Sequence, residues 1–186
     1  MSQPAGLIRL EGMSGALLLF INPLKDRTMS TQARFDYFRL SAELSKKYLD
    51  FSMAFRMDKT LAVLIDIRAS QLNGCAFCLD MHVKQAKMHG ERELRLHHVA
   101  IWRESPLFTP KERAALEWTE VLTRIPAEGI ADAAYAAVSE HFSPEDLSEL
   151  TWRVAAINGW NRMNVAVRNL PGSQDKMFGL DKAGLN

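Results

Sequence analysis

Cysteine is scarce in this chain, and several other features are missing altogether. Two cysteines in 186 residues, three positions apart, cannot build a disulfide framework that holds a fold together. A surplus of one charge is missing too. The 23 lysines and arginines stand against 22 aspartates and glutamates, so no net field recruits nucleic acid or an anionic membrane. No basic stretch with interleaved aromatics is present, and nucleic-acid binding is not expected. The apolar run Ala16-Leu-Leu-Leu-Phe-Ile21 is far too short to span a bilayer. Asn22-Pro23 closes it without a small-x-small cleavage pattern, so it does not read as a secretory signal either. Gly-x-Gly-x-x-Gly, a phosphate-binding loop and a serine-nucleophile elbow are all absent, so no cofactor is expected. No stretch shows sustained period-two alternation, which argues against sheets and against a thioredoxin-type βαβ fold.

What is present is apolar material in helical order. Hydrophobic residues make up 47%, enough for one buried core in a chain of this length. Helical spacing is expected over 42–57, with Leu44, Tyr48, Phe51 and Phe55 on one stripe, and again over 60–72, stopped by Asn73-Gly74. A third helix should run from about Cys75 to Met88, and a fourth over 91–103. Thr109-Pro110-Lys-Glu112 reads as a capping box opening a helix to about Arg124. Another helix covers 131–141, and Ser143-Pro144 caps a long last one that ends by Pro171-Gly172. The two Ser/Thr-Pro starts echo each other 34 residues apart, which shared capping explains better than a repeat with no third copy. The fold expected is all-α, a single-domain helical bundle over residues 29–172. Met29-Ser30 reads as a natural start, so residues 1–28 are expected to be an extension and 173–186 a tail. The last helix carries Trp152, Val154, Ile157, Trp160, Met163 and Val165 on more than one face, so a subunit interface is expected.

The chemistry concentrates in Arg68-Ala-Ser-Gln-Leu-Asn-Gly-Cys75-Ala-Phe-Cys78-Leu-Asp-Met-His82. A Cys-x-x-Cys pair can close into a disulfide within one helical turn, so two-electron thiol chemistry is the first expectation. Unpaired N–H groups and the positive dipole end at a helix start both favour a thiolate. His82 lies four residues beyond Cys78, one turn away on the same face, and can exchange a proton with it directly or through water. Cys75 is then placed to resolve a sulfenic acid on Cys78. Helix-dipole reasoning alone would instead favour the earlier cysteine as nucleophile. Zinc is the competing use of Cys75, Cys78 and His82. His89 lies two turns from His82, roughly 10 Å along the axis, too far to share a tetrahedral ion. That leaves His97 and His98 as the nearby candidates for a fourth ligand. With one close pair and no wider framework, a cytoplasmic location is expected.

These residues resemble the alkylhydroperoxidase D-like branch of the carboxymuconolactone decarboxylase superfamily. The resemblance covers roughly Arg34 to Gly172 and includes Arg68-Ala-Ser-Gln, Asn73-Gly-Cys-Ala-Phe-Cys, Asp80-Met-His82, Trp102-Arg-Glu and Ala156-Ile-Asn-Gly-Trp-Asn-Arg162. It implies an all-helical fold assembling as homodimers, trimers or hexamers. It also implies reduction of a hydroperoxide by Cys78, resolution by Cys75, a proton relay through His82, and recycling by a dithiol or protein reductant. One position departs from the family. Val63 stands twelve residues before the first cysteine, where relays of this kind carry a glutamate. Asp66 could take its place as relay acid, or could make only a surface salt bridge. If the role is lost, Val63→Glu should raise the rate; if Asp66 serves, Asp66→Asn should slow it. Phe77 likewise stands where the best-known members have a histidine. A thiol–disulfide exchanger, or a non-enzymatic helical oligomer using the pair structurally or for zinc, is the alternative.

Overall fold

The computed structural model describes residues 32–185, and every regular element among them is helical. In chain order these are α1 (Tyr37–Leu40), α2 (Ala42–Met53), α3 (Lys59–Asn73), α4 (Ala76–Met88), α5 (Glu93–His98) and α6 (Pro110–Thr123). Then come α7 (Asp132–Ser139), α8 (Pro144–Val167) and α9 (Asp175–Phe178), with 3₁₀ turns at Val99–Ile101 and Leu180–Ala183. The extension expected over residues 1–28, its apolar arm included, lies outside the described residues.

The core is organised around α3. Leu61 through Ile67, with Ala69 and Ser70, are all buried, so this helix is apolar nearly all round and must be enclosed. On one side Leu61 and Ile65 join Trp118 of α6, Val138 of α7 and Leu150 and Val154 of α8. On the other, Val63, Leu64 and Ile67 meet Ala86 of α4, Leu96 of α5, Trp102 and Leu116. Each such aliphatic side chain contributes about 1.5–3 kcal/mol when fully buried. Enclosing α3 in this way fixes its C-terminal end, from which the cysteine loop departs.

Capping residues set the helix starts. Thr109 Oγ1 accepts from the Glu112 N–H, and the Glu112 carboxylate accepts from the Thr109 N–H, so the capping box is present in full. Ser143 Oγ accepts from the Asp146 N–H, again with proline just inside the helix. Each such cap is worth about 1 kcal/mol, and the 34-residue echo marks two equivalent helix starts.

Three expected boundaries move. The first helix stops at Met53 rather than 57, because Asp58 serves as the cap of α3, accepting from the Leu61 N–H. Leu44 and Phe51 of its expected stripe are exposed. It is Tyr48 that holds α2 down: its hydroxyl donates to the Ala156 carbonyl at 2.9 Å and its ring lies 4.7 Å from that of Trp160. The approach runs over Gly159, where any Cβ would collide with the Tyr48 hydroxyl. The helix expected over 91–103 is the short α5 followed by a 3₁₀ turn. The last long helix ends at Val167, before Pro171-Gly172, with Arg168 left-handed at φ 60°. Its terminal carbonyls are taken by other backbone donors, Arg34 N–H to Val167 and Asn169 N–H to Asn164.

Within the tail expected over 173–186, α9 and the second 3₁₀ turn pack back on the bundle, with Leu180 and Ala183 buried. Lys84 of α4, itself buried, donates to Asp80 at 2.8 Å and to Asp175 at 2.6 Å, and Asp80 also accepts from the Gly172 N–H. Burial acts to lower the Lys84 pKa, but the bonds to Asp175 and Asp80 outweigh it and raise the value.

Candidate functional site

Gly74 ends α3 in a left-handed conformation, φ 65°, and Cys75 follows at once as the N-cap of α4. Its Sγ accepts the Cys78 N–H at 3.3 Å. One turn brings the Cα atoms of Cys75 and Cys78 to 5.4 Å, and the two sulfurs are joined as a disulfide. Both cysteines are only 2% exposed, enclosed with buried Phe77 and with Met81. The sequence expectation that the pair sits at a helix start and can bond internally is met.

His82 projects one turn beyond Cys78 and is mostly buried. Its Nδ1 lies 2.8 Å from Gln85 Oε1 and 3.5 Å from Asp66 Oδ2. Both neighbours can accept, so Nδ1 is the ring nitrogen placed to donate. No hydrogen bond joins His82 to Cys78 among the described residues: in the disulfide form the Cys78 sulfur is bonded to Cys75 and its polar neighbour is Asn164.

Asp66 is no surface residue. It is 1% exposed and meets Arg153 of α8 as a fork, Nε to Oδ1 at 3.0 Å and Nη2 to Oδ2. Burial pushes the Arg153 pKa down, but the charge and hydrogen bonds of Asp66 outweigh it, so the guanidinium stays cationic. Asp66 Oδ2 thus faces both Arg153 and His82. Val63, one turn earlier on α3, is packed among Leu64, Leu96 and their apolar neighbours.

Among the described residues no group of three or more His, Cys, Asp or Glu side chains is placed to hold a metal. His98 Nδ1 is bonded to Ser105 Oγ at 2.9 Å and His89 caps the far end of α4, so neither shares a locus with His82.

The contribution of α8 was not expected from the sequence. Asn158, Asn161 and Asn164 recur every three residues and are buried. Asn158 and Asn161 both accept from Asn73 Nδ2 at 2.9 Å, and Asn161 donates to Ser70 Oγ at 3.1 Å. They clamp the end of α3 one residue before Gly74-Cys75. Asn164 Nδ2 reaches Cys78 Sγ at 3.6 Å, and its Oδ1 accepts from Tyr37 at 3.0 Å. A signal was there to be read: three asparagines at helical spacing, set among the apolar positions Val154, Ile157 and Val167 of one helix, are polar groups that must be satisfied if buried.

Comparison with known proteins places the chain. The carboxymuconolactone decarboxylase family matches over residues 44–121. Uncharacterized protein YdfG of Bacillus subtilis (strain 168) is 37% identical over 144 residues, covering 76% of this chain and 98% of that protein. A protein of unknown function from Agrobacterium tumefaciens, provisionally assigned to antioxidant defence as AhpD, superposes with a TM-score of 0.72 at 36% identity, covering 75% of this chain and 98% of its own. At 19% identity, an uncharacterized peroxidase-related protein of Ralstonia eutropha JMP134 with an alkylhydroperoxidase AhpD core shares the fold, with a TM-score of 0.65 over 74% of this chain and 75% of that one.

Proposed function

The chain belongs to the carboxymuconolactone decarboxylase family, and from that premise we propose that it is a thiol peroxidase of the alkylhydroperoxidase D kind. The observation that carries the reading is the Cys75–Cys78 disulfide at the start of α4, with the His82–Asp66 pair one turn away. In the proposed cycle the Cys78 thiolate attacks the distal oxygen of a hydroperoxide. The O–O bond breaks, Cys78 becomes a sulfenic acid, and the alcohol leaves with a proton relayed from His82. The Cys75 thiol then attacks the Cys78 sulfur, water departs, and the disulfide forms. A dithiol or protein reductant returns two electrons and two protons by thiol–disulfide exchange.

His82 is suited to its part because Nδ1 is held as donor, leaving Nε2 to take the thiol proton. Asp66 stabilises the imidazolium that results, and Arg153 fixes Asp66 rather than competing for the proton. No bound cofactor enters this cycle. The need for a thiol reductant fits a cytoplasmic setting. A homo-oligomer fits the apolar residues left exposed on α2 and α8, with Trp152 58% exposed. No helix of the described residues is long and apolar enough to cross a membrane.

The test separates the two sulfurs. Reduced Cys75→Ser protein should consume about one equivalent of tert-butyl hydroperoxide and leave a dimedone-reactive sulfenic acid on Cys78, without turning over with a dithiol that recycles the wild type. Cys78→Ser should show no rapid consumption. Label on Cys75 in the Cys78→Ser protein, and none on Cys78 in its counterpart, would reverse the roles. No consumption by the reduced wild type would remove the peroxidase reading.

A further inference from the structure

The two sulfurs are solvated by different donors. Cys75 Sγ has a backbone donor, the Cys78 N–H, and the field of a helix start. On those grounds alone Cys75 would hold the negative charge when the disulfide is reduced. Cys78 Sγ has instead a side-chain donor, Asn164 Nδ2, brought from a helix 86 residues further along the chain.

We propose that Asn164 is the hydrogen-bond donor that stabilises the thiolate of Cys78 and so makes it, rather than Cys75, the nucleophile of the pair. The inference rests on the reading of this pair as redox-active thiols and deepens it.

The orientation of the Asn164 amide is fixed by its partners. Nδ2 lies 2.9 Å from the Trp160 carbonyl, which can only accept. Oδ1 takes the Tyr37 hydroxyl at 3.0 Å and Asn169 Nδ2 at 2.7 Å. Turning the amide over would set oxygen against a carbonyl oxygen and give up both donors to Oδ1. One N–H is used by Trp160, and the other is left for the sulfur. Burial, opposed by the bond to Asn164, pushes the Tyr37 phenol up to about 12, so it keeps its proton and donates throughout the range where thiols titrate. Asn164, Tyr37 and Cys78 are all buried, so water competes little for these bonds.

The titratable groups on the surrounding elements are accounted for. Asp66 on α3 is taken by Arg153 of α8, and Asp80 and Lys84 on α4 are tied to each other and to Asp175. Arg162 of α8 is bonded to Asn158, and His82 to Gln85. None of these is hydrogen-bonded to the Cys78 sulfur; Asn164 is. A neutral amide that already points an N–H at the sulfur gains most when that sulfur becomes an anion.

The experiment uses the full chain and no peroxide. In Cys75→Ser protein, where serine keeps the helix cap, the pH dependence of iodoacetamide alkylation reports the Cys78 thiol. Adding Asn164→Ala should move that profile up by about one pH unit or more. Adding Tyr37→Phe, which leaves the amide held by Trp160 and Asn169, should move it up by a smaller amount. The same two changes in Cys78→Ser protein should leave the Cys75 profile within about 0.3 unit, well below the shift that loss of a bond to a charged group produces. An unmoved Cys78 profile, or equal movement of both cysteines, overturns the proposal. If circular dichroism shows Asn164→Ala unfolded, Tyr37→Phe decides alone: no shift at Cys78 overturns it. A Cys78-specific shift in a protein that forms no sulfenic acid with peroxide keeps this assignment and removes the peroxidase reading instead.

Discussion

Asp66 shows how much one residue's role depends on what faces it. A carboxylate held between Arg153 and His82 in a nearly dry site is both a structural counter-ion and the group that would support an imidazolium. Asp66→Asn should therefore act twice. It should lower stability by about 3–5 kcal/mol, the usual cost of stranding one partner of a buried ion pair, and slow Cys78 oxidation near neutral pH. Arg153→Met strands Asp66 and should also destabilise, but should not slow oxidation as much, because Asp66 still faces His82. Equal slowing in both variants, read by stopped-flow peroxide consumption on folded protein, would reduce Asp66 to a structural part. Val63→Glu should do little for the rate if Asp66 serves, and it puts a carboxylate into a packed apolar cluster. At this scale the sequence was legible where contacts are local. Cys75, Cys78 and His82 lie within two turns of one helix, and their spacing alone placed them together. Arg153 and Asn164 come from a helix some eighty residues on, and no local periodicity points across that distance.

Helix starts were legible for a related reason. Thr109, Ser143 and the Asn73-Gly74 stop satisfy backbone groups within a few residues, so their chemistry is written locally. Ends without such signatures were not. Arg168 closes α8 in a left-handed turn with no glycine to announce it, and the end of α2 was set four residues late because helical spacing continues from Met53 to Met57. The packing of residues 172–183 on α4 was equally unwritten, since it depends on Lys84 meeting Asp175 across 91 positions. Lys84→Met should cost about 1–3 kcal/mol and speed amide exchange over 172–183 while sparing α6. The pH sense follows from the raised Lys84 pKa. Its contribution is complete below the ordinary lysine value and is lost as pH rises through the higher folded value. Segment protection in the wild type should therefore fall only under strongly alkaline conditions. Exchange over 172–183 unchanged by Lys84→Met would show that Leu180 and Ala183 hold the segment without it.

For the molecule as a whole, the absence of alternating strands and the run of amphipathic segments were enough to expect an all-α bundle, and the described residues form only helices. The expected excess of apolar surface on α8 divides cleanly. Val154 and Ile157 enter the core, Trp160 packs under α2 with its ring tilted against that of Tyr48, and Trp152, Met163 and Val165 remain exposed, as do Leu44 and Met53 of α2. Light scattering at micromolar concentration should give at least a dimer, and Trp152→Glu should reduce its mass; a monomeric wild type would refute the expectation. Burial of the sulfurs has a further consequence for the whole molecule. A reagent reaches Cys75 and Cys78 only when the packing around them parts, so at high reagent concentration the frequency of opening becomes the ceiling on the rate. Beneath that ceiling the affinity of an oxidant matters; at it, all oxidants become equivalent. Whatever reagent the pair meets, the protein's own breathing then sets the pace of its thiol chemistry.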